Sequence, residues 1–443
     1  MSILIIDDEN KSLRGSFWGW FYMRRSKNWI YGSSGAKKGR LRAFFAWCAA
    51  AVGIAFVLWG SAKYILGDQY DEVMRVVLPS ASTTGEQTSP APTTAPEATL
   101  PPPRVSDVKV KGLYVTAWSA GMEDRLAHYI ELCDTTEVNA LVIDVKDDRG
   151  QITFANSIEG AAGASSNIIA DMPGLVRRLK EHDIYAIARV VCFKDPIWSK
   201  LHGGLAIQNQ RGAPWKDSDG ITWLDPYNKA AWAYIAAVAK EAARLGFDEV
   251  QLDYVRFPTG GRLGDIDHGE AGLEKTKAEI IAEFLAYIRT ELASTDVLLS
   301  VDIFGITAVH KGDYEGIGQD LELLARHADY ICPMVYPSHF ANKRQNGEGQ
   351  VINGVLYEAP DLQPFEVVRN TLLMMRNRLR AAKNTAGIRA YLQDFTASYL
   401  GQGYYQTYTA EKIREQVQAV YDAGLEEWIL WNASGTYQED ALE

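Results

Sequence analysis

Beyond residue 108 the chain alternates between two hydrophobic periods. Short runs dominated by Val, Ile, Leu, Tyr and Phe recur at 110–118, 140–147, 185–193, 249–257, 298–305, 330–337, 388–395 and 427–434. Their length and β-branched content mark them as strands buried on both faces. Between them lie segments with apolar residues at helical spacing, among them 173–182, 229–245, 270–293, 320–328, 364–382 and 409–423. Gly246 and Gly424 stand where two of these should stop. Strand and helix in regular succession call for crossover connections, and so for a parallel sheet. Eight such units in one domain predict an α/β fold, the (β/α)8 TIM barrel. The competing doubly wound sheet has less support, because neither GxGxxG nor GxxxxGK[ST] follows a strand.

Ahead of the barrel the pattern changes twice. "AFFAWCAAAVGIAFVLWG" at 43–60 carries no charge, and about 17–25 such residues cross a bilayer core. "KKGRLR" precedes it, with Arg24, Arg25 and Lys27 upstream, which keeps the N-terminus cytoplasmic and exports the rest. A cleavable signal peptide is the rival reading; the long lead before the apolar run disfavours it. "SASTTGEQTSPAPTTAPEATLPPP" at 80–103 is Ser/Thr/Pro-rich, a composition that forms a disordered spacer. The expected order is therefore a cytoplasmic segment (1–42), a transmembrane helix (43–66), a linker (67–107) and the barrel (108–443).

Bulk composition narrows the function. A net charge of −11 argues against a general nucleic-acid binder. The four cysteines are far apart and the seven histidines form no HxH or HExxH, so neither a zinc site nor a disulfide framework is expected. The cysteines read as small buried hydrophobes. No organic cofactor and no metal is called for; the oligomeric state stays open.

Fully buried strands should be plain apolar runs, yet these carry polar residues toward their C-terminal ends, where barrel active sites are built. They are Tyr114 and Trp118 on the first, Asp144, Lys146 and Asp147 on the second, and Arg189 on the third, with Lys194 and Asp195 at its exit. The fourth carries Gln251, Asp253 and Arg256, the fifth Asp302, the sixth Tyr336 and His339, the seventh Gln393 and Asp394, and the eighth Trp431. Alternation turns Gln251 and Asp253 to one side of their strand and Arg256 to the other. The same reasoning puts Asp302, Asp144, Lys146 and Arg189 inside the barrel. Charges buried there must pair, so Asp144, Lys146 and Arg189 are expected to form one network, and Arg256 to pair with a loop carboxylate outside it. Adjacent strands lie about 4.8 Å apart, which would bring Asp253 and Asp302 to the carboxylate spacing of a retaining glycosidase. Asp253 is the candidate nucleophile and Asp302 the candidate acid, with Asp394 and then Asp147 as rivals. Tyr114, Trp118, Asp144, Lys146, Arg189, Gln251, Tyr336, His339, Gln393, Asp394 and Trp431 are the candidate substrate contacts.

The ordered segments "GLYVTAWSAG", "LVIDVKDDRG", "ARVVCFKDP", "WLDPYN", "GFDEVQLDYVRFP", "SVDIFG", "ICPMVYPSHF", "YLQDF" and "WILWNASGTY" together resemble a bacterial family of glycoside hydrolase domains, over residues 108 to 440. The resemblance implies a TIM barrel and cleavage of glycosidic bonds. "FDEVQLDYV" is also similar to the "FDGxDxDxE" strand of chitinase-like barrels, but Val255 stands where those need Glu. A nucleophilic Asp ending the fourth strand resembles α-amylase-like and α-galactosidase-like barrels, which implies Asp253 as nucleophile and an acid on strand five or six. The expected function is a membrane-anchored, extracellular hydrolase of an envelope or extracellular polysaccharide. The alternative is a catalytically silent barrel that binds glycan or a partner protein.

Overall fold

The computed structural model describes residues 102–158 and 161–442. The barrel strands are β1 (Lys111–Val115), β2 (Ala140–Lys146), β3 (Tyr185–Val191), β4 (Glu249–Asp253), β5 (Leu298–Phe304), β6 (Tyr330–Met334), β7 (Gly387–Ile388 and Ala390–Gln393) and β8 (Trp428–Trp431). All pair in parallel in that order, and β8 returns to β1, as Gly112 beside Ile429 shows. The expected closed α/β barrel is therefore present. The helices between successive strands include α1 (Glu123–Thr135), α2 (Met172–Glu181), α3 (Lys229–Leu245), α4 (Lys277–Glu291), α5 (Leu321–Leu324), α6 (Pro364–Ala381) and α7 (Ala410–Asp422), with shorter turns of helix such as Ala271–Glu274 and Gly305–Val309 among them. The expected span at 43–66 and all but the end of the linker lie outside the described residues. Among the described residues no helix is long and apolar enough to cross a membrane.

Local chemistry explains the boundaries. The Asn228 side chain accepts from the Ala230 N–H to start α3, and Gly246 ends it at φ 94°, a conformation that penalises any Cβ. Thr276 and Glu279 form a reciprocal capping box at the start of α4, so the helix begins later than the periodicity at 270 predicts. Outside the strands, residues such as Leu113, Val145, Ile235, Phe284, Leu372 and Trp428 pack into one apolar shell. Each such side chain contributes about 1.5–3 kcal/mol, and this shell lets the barrel interior be polar. Cys192 and Cys332 are buried and Cys133 half-buried, all as free thiols.

The N-terminal end of the interior is a sealed ionic plug. Arg389 donates to Glu249 at 2.7 and 2.8 Å and to Glu427 at 2.9 and 3.0 Å. Its guanidinium lies 4.1 Å from the centre of the Tyr330 ring. Residues 102–106 run across this end: the Arg104 N–H donates to Asp329 at 2.6 Å and the Ser106 N–H to Tyr330 at 2.9 Å. Charge at this face of a barrel serves stability, which leaves the opposite face for chemistry.

Candidate active site

Asp253 ends β4, and the next residue, Tyr254, is left-handed at φ 52°. A non-glycine residue in that region is strained and persists only where its surroundings hold it. Here the turn aims the Tyr254 N–H back at Asp253 Oδ1, 2.6 Å away. This is also why the strand stops at 253 rather than at 257. The other Asp253 oxygen accepts from Arg189 Nε at 3.0 Å and Nη2 at 2.5 Å. Arg189 in turn donates to Asp144 at 2.6 Å, and the Tyr114 hydroxyl donates to Asp144 at 2.7 Å. Four strands thus contribute to one chain, Tyr114–Asp144–Arg189–Asp253. Burial opposes the Arg189 charge, but Asp253 and Asp144 hold the guanidinium well above its ordinary range. Burial raises Asp144 despite Arg189 and Tyr114.

Asp302 occupies the next strand. Leu252 pairs with Val301, so Asp253 and Asp302, one residue further on, sit side by side. Burial first, and then the Asp253 charge, push the Asp302 carboxyl well above the usual range. Its Oδ1 is buried and makes no hydrogen bond among the described residues. Two neighbouring carboxyl groups are therefore held differently: both oxygens of Asp253 accept hydrogen bonds, from Arg189 and the Tyr254 N–H, whereas burial and the Asp253 charge raise the Asp302 carboxyl and leave its Oδ1 unbonded among the described residues. Adjacent carboxyl groups in such unlike surroundings have the chemistry that acid–base work requires.

Across the mouth, the exits of β6, β7 and β8 carry an aromatic wall. Tyr336, Phe395 and Trp431 have ring centres 5.3–5.8 Å apart. His339 lies 5.0 Å from Tyr336, and Tyr114 stacks on Trp431 at 6.0 Å. Burial pulls His339 down to about 4, so its ring is neutral. Trp118, on the short helix Ala117–Ala120 after β1, is 58% exposed. Tyr336 and Tyr114, both expected as substrate contacts, are buried behind this surface, which leaves the partly open Phe395 and Trp431 and the exposed Trp118 as rings on which a sugar's C–H face could stack.

Several expected contacts stand elsewhere. Lys146 is not part of the Asp144–Arg189 network. A bulge follows Asp144, so that Lys146 pairs with Val190 and turns to the helix side. There it is fully buried, 2.9 Å from Asp195 and donating to the Val191 carbonyl. Gln251 lies a layer below Asp253, fully buried, bonded to the Tyr391 hydroxyl at 2.5 Å. Gln393 is buried as a loop brace, donating to Asp361 and accepting from the Ser338 N–H. Asp394 turns to the C-terminal segment and accepts from the Gln438 N–H at 3.1 Å. Burial raises it to about 7, but it does not join Asp253. Asp147, raised to about 6 by burial, accepts the Arg149 and Gln151 amides of its own turn. Arg256, expected to pair with a loop carboxylate, feels the Asp217 charge, donates to the Phe257 carbonyl at 2.9 Å and lies between the rings of Trp223, Tyr254 and Phe304 at 5.1, 4.9 and 4.7 Å. The Arg189 guanidinium occupies the space between Asp144 and Asp253 that a bound cation would need, so those carboxylates do not fit a metal.

Residues 112–437 match the family described as "Putative glycosyl hydrolase domain". The chain belongs to this glycosyl hydrolase domain family. Among solved structures, the glycosyl hydrolase domain is similar to the PgaB (BpsB) glycoside hydrolase domain from Bordetella bronchiseptica. The identity is 12%, covering 76% of this chain and 99% of that one, with a TM-score of 0.54; this likeness is one of fold. A hypothetical protein from Ruminiclostridium thermocellum is 41% identical, over 43% of this chain and 96% of its own, with a TM-score of 0.40. An α-galactosidase from Thermus thermophilus is 13% identical over 75% of this chain and 60% of its own, with a TM-score of 0.44. No curated protein matches the glycosyl hydrolase domain.

Proposed function

We propose that the protein is a retaining glycoside hydrolase, anchored in the membrane by residues 43–66, with its barrel outside the cell, and that it cuts an envelope or extracellular polysaccharide. The observation that carries the reading is that Asp253 and Asp302 sit side by side with unequal hydrogen bonding, Asp253 held by Arg189 and the Tyr254 N–H and Asp302 buried with one oxygen unbonded among the described residues. Asp253 attacks the anomeric carbon as Asp302 protonates the departing glycosidic oxygen, leaving a glycosyl ester on Asp253. Asp302, now ionised, takes a proton from water, which attacks the same carbon and frees Asp253. Arg189 and the Tyr254 N–H fix one lone-pair direction of Asp253 toward the sugar, so little reorganisation is needed at the transition state. The anchor and the outward orientation rest on the uncharged run at 43–60 and the basic residues ahead of it.

The test is release of reducing ends by the full chain from a panel of bacterial cell-wall and capsule glycans, with Asp253→Asn in parallel. Cleavage by the native protein and its loss in the variant are expected. A glycan that is bound tightly but cleaved by neither protein would favour the binding-only barrel.

A further inference from the structure

The mouth is polar on one side and aromatic on the other. The aromatic wall takes the exits of β6–β8, and the opposite exits, of β2, β3 and β4, carry Asp148, Lys194 and Tyr254. Asp148 sits on the turn that the Asp147–Gln151 and Asp147–Gly150 backbone bonds close after β2. Lys194 Nζ lies 3.2 Å from Asp148 Oδ2, 3.5 Å from the Tyr254 hydroxyl and 4.8 Å from the centre of its ring. The Asp148 charge also acts on Tyr114, Asp144 and Tyr254.

This ion pair differs from the sealed ones, Arg389–Glu249 inside the barrel and Lys146–Asp195 on its helix side. Lys146–Asp195 is sealed at 0% exposure on both sides, whereas Lys194 and Asp148 keep 16% and 17% of their side-chain surface open. A carboxylate that only accepts and an ammonium that only donates, spaced 3.2 Å apart, present complementary partners to two adjacent hydroxyls. Of two such hydroxyls, one would donate to Asp148 and its neighbour would accept from Lys194. These are charge-assisted bonds, about twice as strong as neutral ones. A sugar held so would turn its C–H face toward the aromatic wall.

We propose that Asp148 and Lys194 recognise two neighbouring free hydroxyls on the pyranose seated over Asp253, so that the substrate is a polysaccharide unsubstituted at those positions. This rests on the hydrolase reading above and adds a substrate class to it.

The experiment uses the full chain carrying Asp253→Asn, so that binding is read without turnover. The probes are hexose oligosaccharides and their fully O-methylated counterparts on one array. Binding to unmethylated oligosaccharides is expected to weaken by about tenfold or more with either K194M or D148N, the loss of one charged hydrogen bond. Lys194→Arg should retain most of it, and the methylated probes should not bind. Thermal midpoints close to that of the parent show that the variants fold. Unchanged binding in both folded variants, equal binding of methylated probes, or no binding of any hexose oligosaccharide overturns the proposal. The two readings separate with the Asp253 protein: tight binding without cleavage sinks the hydrolase reading alone. Cleavage with the same KM in K194M and D148N sinks this inference alone.

Discussion

Replacing Asp302 by Asn should raise stability at neutral pH while removing most of the activity. Asp302 is buried, one of its oxygens lacks a hydrogen bond among the described residues, and Asp253 stands beside it. Burial and then the Asp253 charge raise its folded-state pKa well above the unfolded value, which is about 3.9. Between those two values the folded protein holds a proton that the unfolded chain has released, so stability falls as pH rises. The contribution is whole below about pH 4 and is lost progressively as pH climbs through the folded value. Within that window one proton corresponds to about 1.4 kcal/mol per pH unit, or roughly 2 °C in Tm for a domain of this size. An amide of the same shape cannot ionise, so Asp302→Asn abolishes this slope. The assay is guanidinium denaturation of both proteins at pH 5 and pH 7. The midpoint of the native protein should fall relative to the variant between the two. Losing the general acid should lower kcat by about 10²–10⁴-fold on the cleaved glycan. Parallel pH curves, or a variant that is less stable at both pH values yet fully active, would refute the reasoning.

Other perturbations separate structure from chemistry. Arg389→Met leaves Glu249 and Glu427 buried without a counter-charge and should destabilise by about 3–5 kcal/mol in a denaturation assay, with kcat of the folded fraction unchanged. Trp118→Ala removes an exposed ring at the mouth. It should raise KM roughly two- to tenfold, while the denaturation midpoint stays within error. Asp394 is raised to about 7 by burial, so the stability from its neutral form is lost as pH rises from about 4 through that value. Asp394→Asn should remove this slope, and the basic limb of the kcat/KM profile should stay where it is, because Asp394 faces Gln438 rather than Asp253.

The barrel was legible because each strand and helix announces itself by period: α3 spans 229–245 in both the pattern and the structure. Strand alternation also placed Asp253, Asp302, Asp144 and Arg189 on the inside correctly. It failed at Lys146 because alternation presumes an unbroken strand, and one extra residue after Asp144 reverses every face beyond it. It failed at the end of β4 because nothing in "LDYVRF" announces a left-handed tyrosine. Gln393 and Asp394 sit at a strand exit like true site residues, but the loops that claim them come from 338, 361 and 438, far away in sequence. Asp148 and Lys194 were harder still: a charged pair at two loop exits looks like any solvated pair until the barrel sets it opposite an aromatic wall. Lys194 already stood out at the exit of the third strand, and the signal that could have found Asp148 is the acidic doublet of "KDDRG" directly after a buried strand.

The most direct test of the central claim is to trap the reaction and map it. The Asp302→Asn protein should accumulate the glycosyl ester on a substrate with a good leaving group, since its breakdown also needs the Asp302 base. Quenched protein, digested and read by mass spectrometry, should carry one added sugar on the peptide that contains Asp253, and Asp253→Asn should carry none. An adduct on another residue, or cleavage that inverts the anomeric configuration while Asp253→Asn still turns over, would contradict the account.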